Sequence, residues 1–302
     1  MKIIDVQHLE KTFDHIHAVQ DVSFHVNEGE FFAFLGSNGA GKSTTINILC
    51  TLLKADSGYV FINNYQLNKE NLKIKESIGI VFQNHLLDDL LTVEENLMTR
   101  AALYYSSYQD IKNAVQKVMK EMEIEHYANR LYGTLSGGQK RCCDIARAII
   151  HQPQILFLDE PTTGLDPQTR QHVWKTIMAL HRKNHMTIFL TTHYMEEANH
   201  ANYIVIMDEG KIVAQGSPLQ LRQCYAKERL ILYYQNQAFP KQIKLLPYPI
   251  EIHEDYIVIY LNHTTEAYDI LKQFQKDIID FEVIKGNIED VFLKVTGKEL
   301  KI

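Results

Sequence analysis

Apolar residues along this chain fall into two patterns. Short, near-continuous runs recur at Glu30 to Leu35 (EFFAFL), Ile155 to Asp159 (ILFLD) and Thr187 to Thr192 (TIFLTT), with loop and helix patterns between them. Runs of this kind mark strands buried on both faces of a mostly parallel sheet. The opening stretch MKIIDVQHLEKTF instead interleaves charge with apolar residues. It predicts an edge strand, and with no continuous apolar core after its lysine it does not read as a secretory signal. From Asn84 to Arg130 the pattern turns helical and is rich in Leu, Glu, Tyr and Met, which predicts a separate helical subdomain over about residues 84–150.

A turn at Gly216 to Pro218 precedes a short helix. Beyond Lys227 the chain alternates anew (ERLILYY, then DYIVIYL), with the prolines of FPKQIKLLPYP between. Thr265 to Asp277 carries Ile270, Leu271 and Phe274 at helical spacing, and IIDFEVIKG reads as a strand, so a small βαβ-type α+β unit is expected. The expected boundary divides residues 1–226 from 227–302. No apolar run approaches the roughly 18 residues that a membrane-spanning helix needs.

Composition narrows the class. A chain of 302 residues, 45% hydrophobic and 23% charged, suits about two globular domains. A net charge of -6, with more acid than base beyond Glu228, gives no reason to expect a nucleic-acid partner. The four cysteines (Cys50, Cys142, Cys143, Cys224) lack metal-ligand spacing and suit a reducing cytosol.

The chemistry concentrates at strand ends. GSNGAGKST (Gly36, Ser37, Asn38, Gly39, Ala40, Gly41, Lys42, Ser43, Thr44) lies between the strand FFAFL and the helical pattern INILCTLL, the context that the G-x-x-x-x-G-K-S/T phosphate loop requires. Its backbone N–H groups and the following helix N-terminus would cradle phosphates; Lys42 would reach the terminal ones, and Ser43 would offer its hydroxyl to Mg²⁺. ILFLDE ends in two carboxylates: Asp159 is a candidate for holding Mg²⁺, and Glu160 for activating water as a general base, against the plainer reading of an acid pair capping a helix. His193 ends the strand of TIFLTTH, where a lone histidine is more often structural than catalytic, so its position alone assigns no role. Phe13 fits either an adenine-stacking ring or a core residue, and Gln83 either a metal-facing amide or a strand-end cap. HLLDDLLTVEENL holds leucines that suit a docking surface or a subdomain core. In LSGGQ, Ser136 and Gln139 form a capping box ahead of a helix, while Gly137 and Gly138 would leave bare N–H groups able to approach an anion.

Taken in order, Phe13, GSNGAGKST, Gln83, LSGGQ, ILFLDE, PTTGLDP and TTH resemble the ATP-binding cassette (ABC) ATPases over roughly residues 1–225. The resemblance implies an α/β phosphate-loop domain with a mostly parallel central sheet, an antiparallel β subdomain and a helical subdomain, followed by the small α+β domain. It also implies ATP and Mg²⁺ as cofactors. Phe13 would stack on adenine, Ser43, Gln83 and Asp159 would serve Mg²⁺, Glu160 would be the catalytic base, and His193 would contact the γ-phosphate. In such ATPases two cassettes pack head to tail. Ser136, Gly137, Gly138 and Gln139 would therefore complete the site of a second ABC ATPase chain, identical or paralogous, with Asp166 at the interface between them.

TLSGGQKR, LDEPTTGLDPQTR and IEDVFLKVTG are similar to bacterial drug-resistance-type export ATPases, whose multi-span permease is a separate chain. That likeness implies a cytoplasmic protein held at the inner face of the cell membrane. Cys142 and Cys143 depart from the group, where a basic and an aliphatic residue are usual. Small packing residues explain them better than a redox switch. A soluble ABC ATPase acting on nucleic acid or ribosomes is the competing class, but it would bring long coiled coils or two cassettes. A nucleotide sensor without turnover would lack Glu160.

Overall fold

A computed structural model describes residues 1–234, 239 and 243–297. Residues 240–242 of FPKQIKLLPYP and the residues after 297 lie outside this description. The chain forms two compact units, Met1–Gln215 and Gly216–Ile302.

In the first unit, β1 (Lys2–Phe13), β2 (Ile16–Asn27), β4 (Ser57–Ile62) and β5 (Tyr65–Gln66) build a sheet of order β2-β1-β4-β5, with β1 antiparallel to both β2 and β4. The first strand is therefore interior, not the edge strand its charges predict. Its polar residues reflect a solvated sheet face: Ile4, Val6 and Leu9 are buried while Gln7, His8 and Glu10 are exposed.

The second sheet has the order β10-β9-β3-β8-β7-β6, from β3 (Phe31–Gly36), β6 (Ile78–Val81), β7 (Ile155–Asp159), β8 (Thr187–Thr192), β9 (Tyr203–Asp208) and β10 (Lys211–Gly216). Strands β9, β3, β8, β7 and β6 run parallel. Every residue of β3, β7 and β8 is buried, because both faces are covered. Phe32 and Phe34 meet Phe24 of the antiparallel sheet at 5.3 and 5.4 Å between ring centroids, while Phe31 stacks on Trp174 at 5.9 Å on the opposite face. Trp174 belongs to α6 (Pro167–Asn184).

Helix α1 (Lys42–Leu49) follows β3, and α2 (Asn71–Ser77) leads into β6. The segment after β6 is helical, as its periodicity predicts: α3 (Val93–Ala101), α4 (Tyr108–Glu121) and α5 (Gly137–Ile149). The four-residue α7 (Met195–Ala198) follows β8.

The second unit begins earlier than the expected boundary after residue 226. Helix α8 (Pro218–Tyr225) belongs to it and packs against the last helix, α10 (Ile288–Thr296). Strands β11 (Glu228–Tyr234), β12 (Ile250–Ile252), β13 (Tyr256–Leu261) and β14 (Ile278–Ile284) form a sheet of order β12-β13-β11-β14. Both β13 and β14 are antiparallel to β11, so β13, α9 (Glu266–Gln273) and β14 make a βαβ unit with β11 inserted between its strands. Leu230, Leu232, Ile257, Ile259, Ile270 and Phe274 form its core.

Candidate functional site

Parallel sheets bind ligands beyond the carboxyl ends of their strands. Strands β3, β8, β7 and β6 are consecutive neighbours in the sheet, so the segments leaving those four ends meet at one edge. The phosphate loop leaves β3, Asp159 ends β7 with Glu160 directly after it, His193 follows β8 and Gln83 follows β6.

The loop holds a conformation that only glycine tolerates at Gly41, where φ is 104° and an added Cβ would stand 2.2 Å from the Ala18 carbonyl oxygen. Lys42 is 4% exposed and folds back over the loop, its Nζ donating to the carbonyls of Gly36 at 2.8 Å and Ser37 at 3.1 Å. Glu160 Oε1 lies 3.7 Å from the same Nζ. Burial pulls the ammonium below its ordinary pKa, against the opposing attraction of Glu160 and Asp159. A buried cation on the floor of a phosphate-sized loop is arranged to gain from an arriving polyanion.

Asp159 and Glu160 are adjacent in sequence but differ in setting. Glu160 has φ of 46°, an uncommon left-handed conformation for a long side chain, and its N–H donates to the Thr191 carbonyl at 3.0 Å. Its Oε2 accepts from Thr163 Oγ1 at 3.2 Å and lies 3.1 Å from His193 Nδ1, although that nitrogen is not aligned for a hydrogen bond. Asp159 Oδ1 accepts from Thr191 Oγ1 at 2.5 Å. Burial raises the Asp159 pKa, and Glu160 adds to the rise; hydrogen bonds from Thr191 and Ser43 and the charge of Lys42 oppose it. Ser43 hydroxyl, Asp159 carboxylate and the Gln83 amide offer oxygen only, the donor type that a hard cation such as Mg²⁺ takes. Among the described residues no group of three or more His, Cys, Asp or Glu could hold a metal. A cation here would therefore draw on Ser43 and on ligand oxygens as well as on Asp159.

A cleft of about 780 Å³ is lined by Gly39, Gly41, Lys42, Ser43, Thr44, Gln83, Glu160 and His193, with Ile16, His17 and Ala18 of β2 on its flank; Asp159, buried beside Thr191, does not line it. Phe13 is 43% exposed, with Lys11 Nζ 5.3 Å from its ring centroid, so it is not a core residue; it does not line the cleft itself.

Ser136, Gly137, Gly138, Gln139 and Asp166 also stay outside the cleft lining. Ser136 caps α5, accepting from Gln139 N at 3.4 Å while Gln139 Oε1 accepts from Ser136 N at 3.0 Å, so the capping box is formed. Ser136 and Gly137 are exposed and Gly138 is buried. Asp166 caps α6 by accepting from Thr169 N at 3.0 Å, and hydrogen bonds from the Thr169 side chain first and its backbone N–H second hold the Asp166 carboxyl below the ordinary range.

Sequence reasoning missed Thr163, Thr191 and Glu197. Glu197, 3% exposed, accepts from Thr192 Oγ1 at 2.5 Å, from Trp174 Nε1 at 2.9 Å and from Thr162 Oγ1. It thereby ties the residue before Thr163 to the residue before His193. The available signal was slight: two threonines ending an apolar strand and an acid four residues after His193.

Residues 19–163 match the ABC transporter family. The linearmycin resistance ATP-binding protein LnrL of Bacillus subtilis is 32% identical over 311 residues, covering 99% of this chain and 100% of that protein. The Nod factor export ATP-binding protein I of Burkholderia pseudomallei is 33% identical over 98% of each chain. Among solved structures, cbiO1 of Clostridium perfringens, part of the ABC transporter complex cbiONQ, has a TM-score of 0.68 at 31% identity, covering 73% of this chain and 90% of its own. The cassette MJ0796, in a dimeric post-hydrolysis state bound to ADP and Pi, has a TM-score of 0.65 at 30% identity over 71% of this chain and 98% of its own. The chain belongs to the ATP-binding subunits of ABC transporters, a family of ATPases.

Proposed function

We propose that this chain is the ATP-hydrolysing subunit of a membrane exporter, closing as a dimer on ATP and reopening after hydrolysis. ATP lies along the cleft with Phe13 near adenine, its phosphates on Gly36 to Thr44, and Mg²⁺ among Ser43, Gln83 and Asp159. Glu160 takes a proton from the attacking water, the Thr163 hydroxyl holds its carboxylate, and His193 faces the γ-phosphate. Ser136 to Gln139 and Asp166 act on the nucleotide of a second cassette, identical or paralogous.

The observation that carries this reading is a division within the chain. Lys42, Ser43, Gln83, Glu160 and His193 line one cleft, while the capped start of α5 stands outside it with Ser136 and Gly137 exposed. Export as the direction follows from relatives named for linearmycin resistance and Nod factor export. Among the described residues no helix is long and apolar enough to cross a membrane. A separate multi-span permease supplies the path and holds the protein at the inner face of the cell membrane.

Glu160→Gln tests this. It keeps ATP binding, lowers steady-state hydrolysis by a factor of about 10²–10⁴, the usual weight of a general base, and accumulates an ATP-bound dimer in size-exclusion chromatography. Hydrolysis at the wild-type rate would remove Glu160 from its role. Purification with ribosomes or nucleic acid, and not with a membrane protein, would overturn export.

A further inference from the structure

The end of β6 and the segment leaving it are fastened to α5 at four points. Arg147 Nη2 donates to the Ile80 carbonyl at 2.6 Å, Arg141 donates to the carbonyls of Phe82 at 2.6 Å and Gln83 at 2.8 Å, and Asp144 Oδ2 accepts from His85 Nδ1 at 2.5 Å. Residues 141, 144 and 147 recur every third position, so they line one stripe of the helix. Arg141, Asp144 and Arg147 are 2%, 1% and 8% exposed. Tyr132 donates its hydroxyl to the same Asp144 oxygen at 3.3 Å, and Arg141 Nη1 stands 4.0 Å from it.

Breaking any bond of a network this buried is costly, because it strands a charged or polar group away from water. Residues 80–85 are thereby held to α5. The arginine contacts reach backbone carbonyls and would form with any side chains there. His85 to Asp144 is different, since it joins two side chains just beyond Gln83, and the ring, 36% exposed, can be truncated without leaving a closed cavity.

We propose that His85 and Asp144 are positioning residues, a clasp by which Gln83 in a chain's own cleft sets where that chain's Ser136 and Gly137 stand. This rests on the reading that the start of α5 acts on a second chain's nucleotide. Occupancy of one cleft is then felt at the other through residues 80–85, the clasp and α5, and the two sites of a dimer respond together. His85 touches no nucleotide; it acts through Gln83 and α5.

The experiment compares the full-length protein with His85→Ala, His85→Asn, Asp144→Asn and the His85→Ala/Asp144→Asn double variant, with Mg-ATP as the probe. His85→Ala leaves the dissociation constant of the isolated chain within about twofold and lowers kcat about tenfold, a modest share of what misplacement of a remote support can cost. The sigmoidal dependence on ATP expected of the intact protein becomes hyperbolic in this variant, and hydrogen exchange at residues 80–85 and 136–141 no longer changes in step when ATP is added. Asparagine, whose amide N–H takes the place of Nδ1, restores both readouts. The double variant is no worse than Asp144→Asn alone, since with Asp144 changed the ring of His85 has no clasp left to lose, although Asp144→Asn also disturbs Tyr132 and Arg141. Wild-type kcat and cooperativity in His85→Ala would overturn the clasp, as would a loss of activity that tracks melting temperature and that asparagine does not repair. If Glu160→Gln fails to dimerise on ATP with His85 intact, the reading of α5 acting on a second chain fails instead.

Discussion

The Cβ that Gly138 lacks would stand 2.1 Å from Cγ2 of Thr169, so the second glycine of LSGGQ is where α5 touches α6 within a single chain. The first glycine differs. Gly137 is exposed, and its nearest neighbour would be the flexible end of Leu165 at 3.3 Å. Two adjacent glycines, alike in sequence, stand in different settings: close packing inside the chain at Gly138, and an exposed surface at Gly137.

Gly138→Ala will destabilise the protein by about 1–3 kcal/mol, the range for overpacking a close contact, and Thr169→Ser, which removes Cγ2, will recover most of it. Gly137→Ala will change stability by no more than about 0.5 kcal/mol while lowering hydrolysis in the dimer. Urea unfolding of the three variants separates these effects. Wild-type stability in Gly138→Ala would refute the packing role.

Glu197→Ala will leave Thr162, Thr192 and Trp174 with buried donors and no acceptor. Each stranded buried donor costs about 1–3 kcal/mol, so the variant loses about 3 kcal/mol or more. Glu197→Gln keeps one acceptor oxygen but aims an N–H at one of the donors, and falls between the two. Trp174 is the only tryptophan, so its emission shifts in both variants and reports the site directly. Calorimetry read beside hydrolysis tests whether the loops bearing Thr163 and His193 lose their register together.

His151 gives the fold a defined acid sensitivity. Burial lowers its pKa from 6.5 to about 4, despite a hydrogen bond from Nε2 to the Ile78 carbonyl at 3.0 Å, and Tyr104 stacks on the ring at 4.2 Å. Above pH 6.5 both folded and unfolded chains hold a neutral ring, and His151 adds no pH dependence. Between that pH and about 4 the unfolded chain takes up a proton that the native ring refuses, so stability falls by about 2–3 kcal/mol. Urea midpoints from pH 7 to 4.5 will fall less steeply in His151→Gln; identical slopes would sink the assignment.

The paired cysteines behave as packing residues. Burial pushes the thiol of Cys142 up to about 11 and that of Cys143 up to about 12, so neither forms the reactive thiolate near neutral pH. Cys50 is buried as well, while Cys224 is exposed. Iodoacetamide applied to the native protein at pH 7.5 will label Cys224 alone, with Cys142 and Cys143 reacting only after unfolding. Rapid native labelling of either, read by peptide mass spectrometry, would reopen a redox role.

Much of the site was legible because parallel strands buried on both faces announce themselves as apolar runs, and their chemistry sits just past the end of each run. Lys42, Gln83, Glu160 and His193 were named that way and line one cleft. The position of β1 was misread because charge alternation signals one solvated face equally at a sheet's edge and in its interior. Helix α8 was assigned to the wrong unit because its packing partner, α10, lies far along the chain.

The sequence by itself determined local matters: which runs form strands, where glycines free the phosphate loop, which acids end β7 and which serine caps α5. These follow from side-chain chemistry and spacing within a few residues. Only the tertiary structure decided that Thr191 bonds Asp159, that Glu197 joins three elements, that His85 meets Asp144, and that Gly138 makes room for Thr169. The physical reason is that those contacts depend on strand order and helix packing, which bring together residues whose separation along the chain carries no signal of their distance in space.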